Sequence, residues 1–211
     1  MSVGYLPYQG TSQPQTQVAI RLFRSHGGIL RAAEARHLGI HQETLRTLVR
    51  QGILESMTRG VYRLTEMPIP EHVDLVVVAK KVPDGVFCLI SALAFHHMTT
   101  QIPHEIYVMI PARHAAPKLD WPPVRFFRAS KKVFDVGVET HQVGTSTLRV
   151  YDPAKTVADC FKYRNKIGVD VAVEALRDYL DRRDASFQTL LAYARTLRVE
   201  RVITPYLEAL Q

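Results

Sequence analysis

The chain has 211 residues, is 46% hydrophobic and carries a formal net charge of +7. Its length allows one large domain or two small ones, and its composition is that of a globular protein with a real core. No run approaches the roughly 18 consecutive apolar residues of a membrane-spanning helix, so the sequence excludes such a span.

Residues 1–16 are rich in Gln, Thr and Pro and predict a flexible arm. The N-terminus has neither the basic nor the apolar segment of a signal peptide. The two cysteines, Cys88 and Cys160, lie in apolar surroundings and lack CxxC spacing. This pattern predicts buried free thiols and therefore a location in the reducing cytoplasm.

Three helices and a hairpin are predicted after the arm. Val18–His26 predicts the first helix, and a second helix ends in a tight turn at Gly39. After a third helix, the apolar runs Ile53–Met57 and Gly60–Leu64 predict a small β-hairpin. Helix, turn, helix and hairpin in this order predict a winged helix-turn-helix DNA-binding domain, which we assign to residues 17–65.

The third helix ends at Gly52 and has a narrow apolar stripe formed by Leu45, Leu48 and Val49. Its other side is rich in side chains that read base edges and phosphates in a major groove, and the hairpin adds two arginines that can reach the DNA backbone or minor groove. The alternative is that these arginines only solvate a helix of a small interaction domain. The predicted DNA contacts are Gln42, Thr44, Arg46, Thr47, Arg50, Arg59 and Arg63.

The excess positive charge lies in this N-terminal part. Residues 1–64 contain eight Lys and Arg residues against three Glu residues, a net charge of +5, and the rest of the chain carries only +2. A concentration of positive charge in one domain is expected if that domain binds a polyanion.

A linker containing Pro68 and Pro70 leads to the second predicted domain, residues 66–211. Asp152 followed by Pro153 marks a helix start there, with a capping carboxylate and a proline in the first turn. The predicted elements are helices over 71–81 and 86–98, strands over 105–110, 124–129, 136–143 and 147–151, and helices over 153–163, 169–183, 186–197 and 199–210. The predicted fold class is α+β: an N-terminal winged helix-turn-helix followed by a mixed α/β domain with a C-terminal helical bundle.

One segment of the second domain, Ala112–Lys132, has a net charge of +5 and includes Trp121. A basic loop with an exposed aromatic residue is typical of contact with nucleic acid or with an acidic partner. The alternative is a solvated loop whose Trp121 packs inward under Pro122 and Pro123. The candidate contact residues are Arg113, Lys118, Arg125, Arg128, Lys131 and Lys132.

Enzymatic activity has little support in the sequence. Asp152, Lys155 and Asp159 lie on one helical turn, and such a trio can hold a metal in nucleases, but Asp152 is better explained as a helix cap. Adjacent histidines such as His96 and His97 point about 100° apart on a helix and cannot chelate one ion together. We expect no catalytic residue, no metal and no cofactor.

The pattern of residues 38–64, L-G-I…L-x-x-L-V-R-Q-G-I-L-E…R-G-V-Y-R-L, resembles the winged-helix start of AbiEi-type antitoxins of type IV toxin–antitoxin systems. The chain departs from this family's frequent pattern at Arg31, where a capping hydroxyl is usual. The second domain resembles that of the family in four blocks: Ser91–His96, Thr99–Pro103, Ile110–Pro111 and Val150–Asp159.

This resemblance implies a non-enzymatic, cytoplasmic antitoxin. Its winged helix-turn-helix domain would bind double-stranded DNA at repeats in its own promoter and so repress its operon. These repeats are expected to be inverted. Its second domain would counter a cognate nucleotidyltransferase toxin, in many members of the family without a stable complex. No membrane partner is expected. Two alternatives are a stand-alone winged-helix transcription factor, whose second domain senses a ligand or dimerises, and a nuclease or nucleotide-handling enzyme that uses Asp152, Lys155 and Asp159.

Overall fold

The computed structural model describes residues 13–210, which form two compact units. The first comprises residues 13–73 together with Val143–Ser146, and the second comprises Asp74–Gln142 and residues 147–210. The predicted flexible arm lies outside the described residues except for residues 13–16, which begin the first helix instead.

In its described part, from residue 13 onward, the first unit contains three helices and a three-stranded antiparallel sheet. Its elements are α1 (Gln13–Ser25), β1 (Ile29–Arg31), α2 (Ala32–His37), α3 (Gln42–Arg50), β2 (Leu54–Thr58) and β3 (Val61–Leu64). Strand β3 is central, with β1 on one side and β2 on the other. Phe23, Leu30, Leu48 and Leu64 belong to a common core, so helices and sheet enclose one hydrophobic centre.

The predicted helix-turn-helix is formed by α2 and α3. Gly39 and Gly52, which follow these helices, have φ angles of +83° and +71°, a conformation that side-chain-bearing residues rarely adopt. The unusual Arg31 is accommodated because its backbone N–H donates a hydrogen bond to Glu34 Oε2 at 2.7 Å. The carboxylate of the first turn thus satisfies the backbone N–H of the residue that precedes α2, which is the half of a capping box that needs no hydroxyl at position 31.

The second unit consists of a mixed sheet and eight helices among the described residues. Its elements are α4 (Val73–Lys81), β4 (Val86–Phe87), α5 (Leu89–Phe95), β5 (Ile106–Pro111), β6 (Val124–Ala129), α6 (Lys131–Phe134), β7 (Val138–Val143), β8 (Ser146–Tyr151), α7 (Pro153–Lys162), α8 (Arg164–Ile167), α9 (Val169–Leu180), α10 (Phe187–Leu197) and α11 (Glu200–Ala209). The strand order is β6-β5-β4-β8-β7, with β5 parallel to β6, β4 parallel to β8 and β4 antiparallel to β5. The predicted α+β fold class is confirmed.

Strands β1 and β4 are absent from the sequence prediction. Both are short and pair with strands far along the chain, β1 with β3 and β4 with β5 and β8. The prediction of one helix over Val86–Met98 is wrong at its start, because Phe87 pairs with Val108 and Val150 and α5 begins only at Leu89.

Asp152 caps α7, as the sequence predicts. Its Oδ1 accepts a hydrogen bond from the Lys155 backbone N–H at 2.7 Å, and its Oδ2 accepts one from the Tyr193 hydroxyl at 2.7 Å. One carboxylate therefore joins the start of α7 to α10. Burial raises the pKa of Asp152, and the two hydrogen bonds oppose that shift.

We expect the Asp152→Ala variant to lose about 1–3 kcal/mol of unfolding free energy, because it removes a cap and leaves polar groups without their partner. Urea denaturation followed by the fluorescence of Trp121, the chain's one tryptophan, reports on the second unit. Asp152→Asn retains a capping oxygen and should lose less. Equal losses in both variants would contradict a capping role.

Candidate nucleic-acid interface

Helix α3 presents one polar face and buries the other. Leu45 and Leu48 lie in the core, whereas Gln42, Arg46 and Arg50 are exposed. The two arginine side chains retain 66% and 69% of their accessible surface. Residues 42, 46 and 50 are four apart and lie on the same side of a helix. The exposed face thus combines an amide with two guanidinium groups, a set suited to base edges and phosphates.

Glu43 lies within this face and holds both arginines. Its Oε2 is 3.5 Å from Arg46 Nη1, and its Oε1 is 2.9 Å from Arg50 Nη2. Arg50 also donates a hydrogen bond to the Thr47 hydroxyl at 3.1 Å. The carboxylate therefore orients the two guanidinium groups and competes with phosphate for them. The pattern of outward residues includes Glu43, but no sequence signal shows that it bridges both arginines.

The prediction that Thr44 contacts DNA is corrected by the structure. It is only 2% exposed, because it points to the same side of α3 as Leu48, four residues further on. It belongs to the core side of the helix and cannot reach a groove.

The prediction that Arg63 contacts DNA is corrected for a different reason. It lies on the central strand β3, directly opposite Glu55 of β2, and its side chain is 9% exposed and ion-paired with Glu55. Its Nη1 also donates a hydrogen bond to the Met67 carbonyl at 2.7 Å. Arg59, by contrast, lies exposed in the turn between β2 and β3 and stays a candidate contact.

The six basic residues predicted as a partner surface lie on three different elements. Arg113 and Lys118 are exposed in the connection between β5 and β6, near Trp121, which is 39% exposed and so does not pack fully inward. Arg125 lies 3.3 Å from Glu105, and Lys131 lies 2.5 Å from Asp135.

The last two of the six, Arg128 and Lys132, line a pocket. They share it with Lys162, Arg195 and Arg198, which the sequence analysis did not group with them because they lie 30 or more residues further along the chain. No single window of the sequence shows this convergence.

Two residues of the candidate nuclease trio, Lys155 and Asp159, lie in the core, and the third, Asp152, is half-buried. Lys155 and Asp159 have no accessible surface and form an ion pair of 2.6 Å one turn apart on α7. Lys155 Nζ also lies 4.0 Å from the centre of the Tyr151 ring. Burial raises the pKa of Asp159, and Lys155 opposes that shift. These groups stabilise one another and are inaccessible to a substrate.

The other candidate chemical groups are likewise structural. Burial raises the pKa of the Cys88 and Cys160 thiols well above its usual range, so neither forms a reactive thiolate. His96 Nε2 lies 2.8 Å from the Tyr151 carbonyl, and burial lowers its pKa. Among residues 13–210, no cluster of three His, Cys, Asp or Glu residues has the geometry to hold a metal ion.

The first unit thus has the architecture of a winged helix-turn-helix. The second helix of that motif, α3, has an exposed face with two arginines. Residues 17–65 match the model of a family described as transcriptional regulators, AbiEi antitoxins. The resemblance predicted from the sequence is confirmed over these residues, and the match suggests a transcriptional regulator.

The search of the curated proteins finds no match. Among solved structures, the fold is similar to that of the RV2827C protein from Mycobacterium tuberculosis, with a TM-score of 0.55 and 11% sequence identity. The alignment covers 95% of this chain and 83% of that one, so the likeness in fold extends over both units. Within the described part of the chain, no helix is both long and apolar enough to span a membrane.

We expect the Glu43→Gln variant to bind DNA about two- to fivefold more tightly, because it frees two arginines from exposed ion pairs worth at most about 1 kcal/mol. Titration of labelled upstream DNA at fixed salt measures this gain. Glu66→Gln is the matched control, since Glu66 pairs with Arg24 outside α3 and the same charge is removed. An equal gain in both variants would show that only net charge matters.

We expect the Lys155→Met variant to lose about 3–5 kcal/mol of unfolding free energy, because Asp159 is left buried without its counter-charge. The double variant Lys155→Met/Asp159→Leu should recover most of this loss. In the single variant Asp159 binds its proton more tightly in the folded state than in the unfolded state. The loss of unfolding free energy in the single variant, relative to the natural protein, should therefore grow as the pH rises above about 4. Urea denaturation of both variants at pH 4 and pH 7 tests this, and a pH-independent deficit would contradict it.

Proposed function

We propose that this protein is a DNA-binding antitoxin that represses transcription of its own operon and neutralises a cognate nucleotidyltransferase toxin. The observation that carries the DNA-binding part is the exposed face of α3, within a domain that matches a family of transcriptional regulators. In this proposal Gln42, Arg46, Thr47 and Arg50 enter the major groove, and Arg59 contacts the backbone beside it.

The groups on α3 define what each contact contributes. Arg46 and Arg50 can donate two hydrogen bonds to one guanine, and Gln42 can do the same for an adenine. Arg59 lies in the turn between β2 and β3 and supplies charge rather than base recognition. Separate copies of the winged helix-turn-helix domain would bind the repeats in the promoter.

The antitoxin part is supported by the resemblance of the second domain to that of AbiEi-type antitoxins. In three of its four blocks the residues are largely buried and specify the fold: the Ser91 hydroxyl accepts a hydrogen bond from the Tyr107 backbone N–H at 2.8 Å, and Asp152 caps α7. The block Thr99–Pro103 is largely exposed, with Ile102 86% exposed. In this proposal neutralisation depends on exposed side chains of the second unit.

The Arg46→Ala/Arg50→Ala protein should separate the two activities. Each arginine that contacts a base should contribute about 1–3 kcal/mol to specific binding, so binding to the upstream DNA should weaken by at least tenfold. A promoter reporter should be derepressed, while growth under expression of the neighbouring toxin should be rescued as by the natural protein. Arg59→Ala should instead weaken all DNA sequences alike and reduce the salt dependence.

The matched control is Arg177→Ala/Arg183→Ala, which removes the same charge from exposed positions of the second unit. Full repression by the α3 double variant would overturn the recognition-helix assignment. Repression without any rescue by the natural protein would instead favour a stand-alone transcription factor.

A further inference from the structure

A strongly basic pocket lies within the second unit. Its volume is about 410 Å³, and it forms where the end of β6, helix α6 and the C-terminal ends of α7 and α10 meet. Five basic side chains line it, each exposed to solvent: Arg128, Lys132, Lys162, Arg195 and Arg198. The DNA-binding face of α3 does not account for this convergence.

The pocket contains almost no compensating negative charge. Among the residues that the structure describes, none of its lining side chains is acidic. Arg195 is paired with Glu200 at 2.8 Å outside the lining, and no ion pair is found for the other four within residues 13–210. A smaller cavity beside it shares Arg195 and Arg198 and adds Arg201 together with Glu200, the carboxylate that pairs with Arg195. Like charges held this close repel one another, so an anion bound among them is strongly favoured.

The backbone conformation of Arg198 supports a role for the basic pocket beyond placing charged side chains in solvent. It ends α10 in the left-handed conformation, with φ 59° and ψ 40°, at a position where glycine is the usual residue. A side chain in this conformation is strained, and such residues cluster at functional sites. Complementing the helix dipole explains Lys162 and Arg195, which lie in the last turns of α7 and α10. It does not explain Arg128, Lys132 or the choice of arginine at position 198.

Hydroxyl side chains also line the pocket. Burial raises the pKa of Tyr163 to about 12, so its hydroxyl stays protonated, and it donates its hydrogen bond to the Arg128 carbonyl at 3.4 Å, which fixes the end of β6. Ser130, which precedes α6, makes no capping hydrogen bond with its side chain. Phosphate oxygens accept hydrogen bonds from guanidinium, ammonium and hydroxyl groups.

We propose that this pocket binds the polyphosphate chain of a small ligand, such as a nucleoside triphosphate. Its volume lies within the range of about 300–1,000 Å³ typical of small-molecule sites, and its concave form suits a compact anion rather than a duplex. Arg128, Arg198, Lys132 and Lys162 contact the phosphate oxygens, and a ligand with three or four negative charges balances them. Nothing in this site depends on the DNA-binding face of α3.

Isothermal titration of the full-length protein with ATP, inorganic triphosphate and AMP tests the proposal. ATP and inorganic triphosphate should bind with similar affinity, and AMP at least about tenfold more weakly, because fewer charged oxygens are paired. Affinity should fall as the salt concentration rises.

The variants are chosen to distinguish binding from folding. Arg198→Gly removes a cation and relieves the backbone, so it should weaken binding about tenfold while the melting temperature stays the same or rises. Arg128→Gln/Lys132→Gln should abolish measurable binding. Lys131→Gln, the matched control, removes the same charge from a residue that is paired with Asp135 and lies outside the pocket lining, so it should bind normally.

The proposal is overturned if neither ATP nor inorganic triphosphate binds saturably at millimolar concentration, or if Arg198→Gly and Lys131→Gln bind equally well. It is also overturned if duplex DNA or single-stranded RNA binds through these residues and excess inorganic triphosphate fails to displace it. Displacement by inorganic triphosphate with loss of affinity in Arg198→Gly supports it. An RNA carrying a 5′-triphosphate, compared with the same RNA lacking it, distinguishes a free nucleotide from an RNA end as the natural source.

Discussion

Helix α7 can be buried on every side because its one internal cation has a counter-charge on the next turn. Lys155 and Asp159 neutralise each other without solvent, and the Tyr151 ring covers the ammonium group. The rest of the second unit depends on this arrangement. Asp152 at one end of α7 holds α10 through Tyr193, while Lys162 and Tyr163 at the other end shape the basic pocket. An unpaired charge at either position would destabilise the folded unit by about 3–5 kcal/mol.

The sequence predicts those features whose cause is local. Helix α3, its glycine stop and the Asp152 cap each follow from residues within a few positions of one another. Strands β1 and β4 could not be predicted in this way, because they exist only through partners about 20 to 60 residues distant. Thr44 shows the same limit within the site: its polarity suggests exposure, but its angular position beside Leu48 decides that it is buried.

The charged residues of the sequence also divide by context. Of the predicted DNA contacts, Arg46 and Arg50 are exposed but held by Glu43, whereas Arg63 is paired across two strands and serves the fold. In the second unit, Arg125 and Lys131 are paired with nearby carboxylates, while Arg128 and Lys132 join three distant cations. A count of charges in a segment therefore indicates a basic surface, but only the fold shows which charges are available to a ligand.

Strand β6 is an edge strand of the five-stranded sheet, with β5 on one side only. Its unpaired backbone groups would offer a template for strands of other molecules, which is a common route to aggregation. Arg125 and Arg128 lie along this strand, and positive charge at an edge discourages such pairing. Replacing both arginines with apolar residues would therefore lower the solubility of the folded protein as well as change its surface charge. The side chains that give this region its positive charge thus also disfavour edge-to-edge association of the folded protein.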